Sequence, residues 1–164
     1  MYLRAAGFFE LEREISRARR SMQPLTLAFV DVDGLKAIND SRGHAAGDRM
    51  LREIANVLKR VMRSYDLIVR YGGDEFVCAL VGLTLAGATE RLANVNAALS
   101  GAEPGSVTIG LAELQPDDSL EELIARADSA LYRARERRHA RKRSSSVSFD
   151  PQPRSHVCWP SVET

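Results

Sequence analysis

The sequence LIVRYGGDEFVCAL, residues 67–80, is the most informative segment of this chain about its fold. Two short apolar runs in it flank Gly72 and Gly73, and this arrangement predicts a tight antiparallel β-hairpin. Asp74 and Glu75 follow the glycines, so two acids lie at the turn of the hairpin. The segment therefore supplies two strands of a sheet and a pair of carboxylates at one end of them.

The strand that we expect at the centre of the sheet comes earlier in the chain. LTLAFVDVD (25–33) is an unbroken apolar run that closes in acids, which is typical of a strand buried on both faces. Hydrophobic periodicity and turn residues identify the elements around it. In chain order the sequence predicts an amphipathic helix from Phe8 that Pro24 ends, strand 25–33, helix 48–62, strands 67–71 and 75–80, helix 85–99, strand 106–111 and helix 119–138.

This order of elements predicts an α/β (α+β) fold in which helices flank a mixed central sheet. The core resembles a ferredoxin-like βαββαβ unit of the nucleotide-cyclase and polymerase-palm type. Ser119 is expected to cap the last helix, and Glu122 at the third helical position completes a capping box.

Composition fits a single globular domain. The chain has 164 residues, of which 45% are hydrophobic, and 23 Lys and Arg against 22 Asp and Glu leave a net charge of +1. Proteins that bind nucleic acid usually carry a basic excess, so this charge argues against that class. Cys78 and Cys158 fit no metal-ligand spacing or disulfide framework, which favours a reducing cytoplasm. No apolar run approaches the roughly 18 residues of a membrane span, so we expect no membrane contact by this domain.

The C-terminal part differs in composition from the rest. Seven of the eleven residues from Arg133 to Arg143 are basic, and a Ser- and Pro-containing segment without periodicity follows. We therefore expect a folded domain over residues 1–140 and a disordered extension or cloning remnant over 141–164.

Four acids are expected at neighbouring strand ends. Asp31 and Asp33 end the first buried strand, while Asp74 and Glu75 lie on the turn of the adjacent hairpin, with few bases near them in sequence. A carboxylate at the end of an apolar strand must be paired, hydrated or bound to a cation. Oxygen ligands at such spacing suit Mg²⁺, which commonly bridges carboxylates to substrate phosphates. The alternative is that these are ordinary acids of turns and strand ends.

Four segments match one family, in the right order. RYGGDEF (70–76) carries the GGDEF signature, and DVDGLKAINDSRGHAAGD (31–48) is similar to the family's D-x-D-x-x-K-x-x-N-D-x-x-G-H-x-x-G-D segment. VTIG (107–110) and ADSALYRAR (127–135) resemble the remaining blocks. Together they span nearly all of residues 5–140, so the chain resembles the GGDEF domain family of diguanylate cyclases.

This resemblance implies an enzyme that joins two GTP molecules into cyclic di-GMP and releases two pyrophosphates. A ribose 3′-hydroxyl attacks an α-phosphate twice, across a transient homodimer in which each half-site holds one GTP. The implied cofactor is Mg²⁺ or Mn²⁺, and the implied location is the cytoplasm. Because MYLRAAGFF at the start resembles the end of a longer family segment, we expect a fragment of a larger protein whose N-terminal region senses a signal, dimerises or anchors to a membrane.

The resemblance also implies the metal and catalytic positions. Asp31 and Asp74 correspond to metal ligands, and the backbone carbonyl of Val32 is a third donor. Divalent ions held there would offset the charge that builds on the reacting phosphate. Asp74 is implied as catalytic together with Glu75, which is the second candidate for a metal or proton-transfer role.

Phosphate binding is implied at two places. Gly34, Leu35 and Lys36 follow the first strand and open a short helix, whose backbone N–H groups and Lys ammonium would cradle phosphates. Arg135 stands where the family has Lys and keeps the positive charge. The alternative for Lys36 is an ordinary solvated helix residue.

The last helix departs from the family pattern. Where relatives have Arg four residues after that Lys, this chain has Arg138-His139. A shift of one position could let Arg138 reach the same phosphate. The alternative is that the basic run is a solvated helix end favoured by the helix dipole.

Two polar residues are implied to read guanine. The Asp48 carboxylate, beside Asn39, can accept hydrogen bonds from the N1–H and N2–H₂ groups of guanine, and adenine would leave it unpaired. The alternative for Asp48 is a helix N-cap, and one residue could do both. His44, in the intervening turn, is more simply explained as structural than as catalytic.

A regulatory site is implied by RSYD, residues 63–66, at the family's spacing from the GGDEF turn. Arg63 can clamp a phosphate or stack on guanine, while Asp66 accepts from the guanine edge. The resemblance therefore implies inhibition by cyclic di-GMP at this site. The alternative is a surface ion pair at the end of a helix.

Two other classes of function are alternatives to the enzyme. A non-catalytic module that binds GTP or cyclic di-GMP as a signalling receptor is favoured by the altered 135–139 block. A palm-like nucleotidyl transferase acting on nucleic acid is disfavoured by the near-zero charge and the lack of a basic groove pattern.

Overall fold

The computed structural model describes residues 1–99 and 105–146. These residues form five strands and six helices. The strands are β1 (Tyr2–Leu3), β2 (Leu25–Asp33), β3 (Leu67–Arg70), β4 (Glu75–Val81) and β5 (Ser106–Glu113). The helices are α1 (Arg4–Ser21), α2 (Leu35–Arg42), α3 (His44–Val61), α4 (Leu85–Leu92), α5 (Val95–Leu99) and α6 (Leu120–Ser146).

The strands form one sheet in the order β1-β3-β4-β2-β5, with β2 at the centre of the core. The pairs β3–β4, β4–β2 and β2–β5 are antiparallel, and this is the strand order of a ferredoxin-like βαββαβ core. The predicted fold class is therefore confirmed. The sheet is mixed only because the two-residue β1 pairs in parallel with β3, and the sequence did not predict β1.

Helices cover both faces of the sheet, and β2 shows why its sequence is apolar throughout. Its odd-numbered residues up to Phe29 pack against α1 and α6, while Ala28 and Val30 pack against α3, α4 and α5. The first eight residues of β2 are buried. A strand between two helical layers needs apolar side chains on both faces, because both are removed from water.

Helix α6 lies unusually close to β5. A Cβ placed on Gly110 would lie 2.1 Å from the backbone nitrogen of Leu131 and 2.2 Å from the carbonyl oxygen of Ala127, so only glycine permits this contact. The predicted capping box at the start of α6 is confirmed, since Ser119 and Glu122 exchange backbone-to-side-chain hydrogen bonds of 2.8 and 3.2 Å.

The predicted helix 48–62 starts earlier in the structure. Helix α3 begins at His44 rather than at Asp48, because Gly43, with φ of +77°, ends α2 and starts α3 within one residue. Asp48 is therefore the fifth residue of α3, and the alternative that it caps the helix was wrong. His44 is exposed in the first turn of α3 rather than in an irregular loop.

The predicted helix 85–99 is interrupted by a turn at Ala93 and Asn94, which divides it into α4 and α5. The break places the Asn96 side chain on the outer edge of β5. Its amide donates to the Val107 carbonyl at 3.0 Å, and its Oδ1 accepts from the Val107 N–H at 2.8 Å. Asn96 thus pairs backbone groups that the edge of a sheet otherwise leaves open.

Helix α6 continues to Ser146, beyond the expected end of the folded part at residue 140. The rest of the expected tail, 147–164, lies outside the described residues, as does Cys158. Cys78 is a free thiol buried in β4. Within the described ranges, no helix combines the length and the apolar character that crossing a membrane requires.

Candidate functional site

The four predicted acids do meet at one end of the sheet. Asp31 lies opposite Glu75 in the β2–β4 ladder, and Asp33 is the last residue of β2. The Val32 N–H donates to the backbone carbonyl of Asp74 at 3.0 Å, which ties the hairpin turn to β2. Glu75 directly follows the turn as the first residue of β4, where the predicted strand 75–80 begins.

Two bases that are distant from these acids in sequence lie beside them in the structure. Arg135 of α6 forms an ion pair with Asp31, and Arg138 forms one with Asp33. The two arginines are three residues apart on α6, and therefore on one helix face. This face continues the apolar stripe of α6, just as Asp31 and Asp33 continue the odd-numbered face of β2.

The two aspartates of β2 have opposite electrostatic environments. Burial raises the pKa of Asp31, and repulsion from Asp74 and Asp33 adds to it, so that the Arg135 guanidinium does not restore the ordinary value. Burial also acts to raise the pKa of Asp33, but hydrogen bonds from Ser106, Thr108 and Arg138 outweigh it and the pKa is lowered. The surroundings of Asp33 thus stabilise its ionised form, whereas those of Asp31 disfavour ionisation.

Glu75 shares the environment of Asp31. Burial and the nearby charges of Asp31, Asp74 and Asp128 raise its pKa, and Arg135 offsets only part of this. Negative charge at the end of the sheet therefore exceeds what the arginines neutralise.

An open pocket of about 520 Å³ lies over these acids. Its walls come from β2, the first turn of α2, the hairpin turn, β5 and α6. The lining includes most of the predicted metal and phosphate positions: Asp31, Val32, Asp74, Gly34, Leu35, Lys36 and Arg135. His139, one turn beyond Arg135, also lines it.

The donor set of this pocket fits a divalent cation that is shared with phosphate. Asp31, Asp74 and the Val32 carbonyl offer oxygen donors, which Mg²⁺ prefers. In the described part of the chain, no three His, Cys, Asp or Glu side chains form a ready-made metal cluster. A cation at two carboxylates would therefore complete its coordination with water and with oxygens of a ligand, which is how Mg²⁺ commonly binds nucleotides.

The first turn of α2 is open toward the pocket. Gly34 precedes α2 with φ of +78°, a conformation that favours glycine, and its carbonyl accepts from Ile38 at 3.1 Å. Lys36 is exposed, and no ion pair joins it to a described residue. The first-turn N–H groups and this ammonium remain available for an anion.

Asn39 and Asp48 are brought to the junction of α2 and α3. The Asn39 side chain packs so closely on Gly47 that a Cβ there would lie 2.0 Å from Asn39 Oδ1. Asn39 Oδ1 is buried and, among the described residues, has no hydrogen-bond donor. Asp48, the neighbour of Gly47, is exposed. An acceptor without a donor beside an exposed carboxylate is consistent with a ligand that carries N–H groups.

Arg63 and Asp66 lie on one turn between α3 and β3. Asp66 is buried, and its two oxygens accept from the backbone N–H groups of Arg63 at 2.8 Å and Val81 at 3.1 Å. The Arg63 guanidinium donates to the Tyr65 hydroxyl at 2.6 Å. The two residues do not pair through their side chains, so Asp66 orders the turn while Arg63 faces outward.

The partners of Asp33 were not predicted from the sequence. Ser106 and Thr108 alternate on β5 as Asp31 and Asp33 do on β2, and the register pairs Asp33 with Ser106. This alternation was a usable signal, but the register that aligns the two strands was not visible in the sequence.

Comparison with known proteins agrees with this architecture. The family model "Diguanylate cyclase, GGDEF domain" matches residues 2–141. The chain therefore belongs to the GGDEF domain family.

Individual relatives are similar over most of this chain. Diguanylate cyclase DgcP of Pseudomonas aeruginosa is 39% identical over 140 residues, which are 80% of this chain but only 21% of that protein. The GGDEF domain of DgcB from Caulobacter crescentus, solved in complex with c-di-GMP, matches at a TM-score of 0.77 and 29% identity, over 82% of this chain and 85% of that one. The active GGEEF domain of a diguanylate cyclase from Vibrio cholerae matches at a TM-score of 0.78 and 26% identity, over 83% and 92%.

Proposed function

We propose that this domain is a diguanylate cyclase, which condenses two GTP molecules to cyclic di-GMP and releases two pyrophosphates. The observation that carries the proposal is the pocket where Asp31, Asp74, Lys36 and Arg135 converge in a chain of the GGDEF family. Relatives of similar sequence are named diguanylate cyclases. The proposed place of action is the cytoplasm, where GTP is available.

The acids of the pocket would hold Mg²⁺ or Mn²⁺. Asp31, Asp74 and the Val32 carbonyl are the donors that we assign to it. The ion, when bound, supplies positive charge at the phosphoryl oxygens and lowers the pKa of the attacking hydroxyl. Glu75, opposite Asp31, is the group that we assign to proton transfer from the ribose 3′-hydroxyl.

The basic groups of the pocket bind and orient the triphosphate. The open first turn of α2 and the Lys36 ammonium hold phosphate oxygens. Arg135 exchanges its partner, because a guanidinium paired with Asp31 can turn to a phosphate once Asp31 binds a cation. Asn39 and Asp48 accept from the donors on the guanine edge, so an adenine nucleotide would leave them unpaired.

One domain cannot complete the product, because each half-site holds one GTP and two phosphodiester bonds must form. We therefore expect the initial rate to rise more steeply than the first power of protein concentration when the domain is assayed below its dimerisation constant. The measurement is product formation across about a hundredfold range of dilution. A rate that stays proportional to protein concentration throughout would contradict the homodimer.

The turn that carries Arg63 is the proposed inhibitory site for cyclic di-GMP. Replacing Arg63 by alanine is expected to weaken product binding at least about tenfold and to relieve inhibition, because a charge-assisted bond to phosphate contributes about 1.5–3 kcal/mol. Asp66 offers only the remaining lone pairs of its oxygens, since both already accept backbone N–H groups. Calorimetry with cyclic di-GMP, with the exposed Arg60→Ala as the matched control, measures this; unchanged affinity in the Arg63 variant would remove the site.

A receptor that binds nucleotide without turnover is the second candidate. The Arg135–Asp31 ion pair favours it, because the arginine occupies a carboxylate that the cation needs. Incubation with GTP and Mg²⁺, followed by chromatography for pppGpG and cyclic di-GMP, separates the two functions. Product supports the enzyme, whereas nucleotide binding without either product supports the receptor.

A further inference from the structure

Arg138 lies one helical turn beyond Arg135 but contacts a different set of groups. Its Nη1 donates to Asp33 and, at 3.3 Å, to Thr108 Oγ1, and its Nη2 donates to Ser106 Oγ at 3.0 Å. Both hydroxyls in turn donate to Asp33, at 2.7 Å from Ser106 and 2.8 Å from Thr108. One guanidinium, one carboxylate and two hydroxyls thus form a closed network that joins α6 to the ends of β2 and β5.

Arg138 also lines the pocket, but its guanidinium already donates three hydrogen bonds within this network, so a phosphate would have to compete with the network for it. Both terminal nitrogens of its guanidinium already donate to oxygens of the protein, and its side chain is 41% exposed. Turning toward a phosphate would leave the Asp33 carboxylate, which is 24% exposed, without its cation. Breaking a partly buried charged pair in this way is costly.

Arg135 lies between two points at which α6 is fixed. On its N-terminal side, the Leu131 backbone packs directly on Gly110 of β5. On its C-terminal side, Arg138 is bonded to Asp33. Because α6 is held at both Leu131 and Arg138, the Arg135 side chain has a fixed position at the pocket. If α6 were held only at Gly110, its last turns could move away from the sheet.

We propose that Arg138 is a positioning residue, which fixes the C-terminal half of α6 to β2 and β5 and thereby holds Arg135 at the phosphate end of the pocket. This inference rests on the proposed function, because Arg135 is assigned there to the triphosphate. Arg138 stands one position before the place where relatives have arginine. In the proposed role it acts through Arg135 and needs no contact of its own with phosphate.

The test is a double-mutant cycle between Arg138 and Arg135. Arg138→Gln is expected to lower kcat/KM for GTP about ten- to a hundredfold, because small displacements of a binding group have effects of this size. When Arg135 is already replaced by glutamine, Arg138→Gln should lower kcat/KM by less than about twofold, because Arg138 acts through Arg135. Arg137→Gln, an exposed neighbour, is the matched control and should stay within about twofold of wild type. If the loss of kcat/KM in the double variant equalled the product of the two single losses, Arg138 would contact phosphate independently, and this would overturn the proposal.

Arg138→Lys provides a second variant that keeps the charge. An ammonium lacks the planar fork that reaches Asp33 and both hydroxyls together, so activity should fall to within about threefold of the glutamine variant. Activity near that of wild type would instead indicate a requirement for charge alone and would overturn the proposal.

Binding of GTP by calorimetry, on the same variants, separates this inference from the proposed function. A wild-type domain that binds GTP but forms no cyclic di-GMP refutes the cyclase, while the binding cycle still tests Arg138. Equal GTP affinity in wild type and Arg138→Gln would overturn the positioning role even if the domain is an active cyclase.

Discussion

Replacing Asp74 by alanine is expected to reduce formation of cyclic di-GMP at least about 10³-fold and to leave the domain folded, because a bound metal contributes several kcal/mol to the reaction. No hydrogen bond or ion pair joins the Asp74 carboxylate to another described residue, so its charge is available to a cation. The contact that fixes the turn runs from the Val32 N–H to the Asp74 backbone carbonyl, which alanine retains.

The measurement is chromatography of nucleotides after incubation with GTP and Mg²⁺. Asp117→Ala is the matched control, since Asp117 is an exposed acid in the turn before α6 and lies outside the pocket lining. Thermal unfolding of both variants checks the fold. An Asp74→Ala protein that keeps a tenth or more of wild-type activity would exclude Asp74 as an essential ligand.

Replacing Asp31 by asparagine should lower activity by a similar factor, about 10³-fold. Unlike the loss of activity, its effect on stability should be neutral or favourable. Burial, with repulsion from Asp74 and Asp33, raises the pKa of Asp31, so its ionised form opposes folding at neutral pH. That cost disappears as the pH falls through the raised pKa. The asparagine side chain carries no charge, so the midpoint of thermal unfolding of Asp31→Asn at pH 7 should rise or stay unchanged while activity is lost.

Asp33→Asn is the matched control for this prediction, because the two residues lie on one face of one strand. The folded-state pKa of Asp33 is below its ordinary value of 3.8, so its charge stabilises the fold above that pH and the benefit is lost as the pH falls through the lowered pKa. The variant should therefore melt at a lower temperature than wild type at pH 7, with the difference shrinking in acid. If both variants lost stability equally at pH 7, the contrast between the two carboxylates would be wrong.

The sheet, and the convergence of the residues that we propose for metal and phosphate binding, were predictable from local signals. An unbroken apolar run such as 25–33 has few alternatives to a buried strand, and Gly72-Gly73 between two such runs specifies a hairpin. The family's ordered segments then located Asp31, Asp74 and Lys36, which the structure brings to one pocket. These features depend on neighbours in sequence, and for that reason a sequence pattern could reveal them.

The charge balance of the pocket was not predictable in the same way. Asp31 and Arg135 are about a hundred residues apart, and their pairing follows from the packing of α6 against β5 at Gly110. The limits of α3 and the break after α4 were missed because helical periodicity says little about termini. The backbone conformation of Gly43 determines where α3 begins, and the turn at Ala93 determines where α4 ends.

The Asn96 amide has a consequence for how two copies of this domain can meet. Sheets often associate by strand addition at an edge, and β5 is such an edge. At Val107 the donor and acceptor that an incoming strand would use are already bonded to Asn96. A second molecule would have to displace this side chain before the sheet could grow across the contact. Strand addition at the Val107 end of β5 is therefore blocked while Asn96 keeps these two hydrogen bonds.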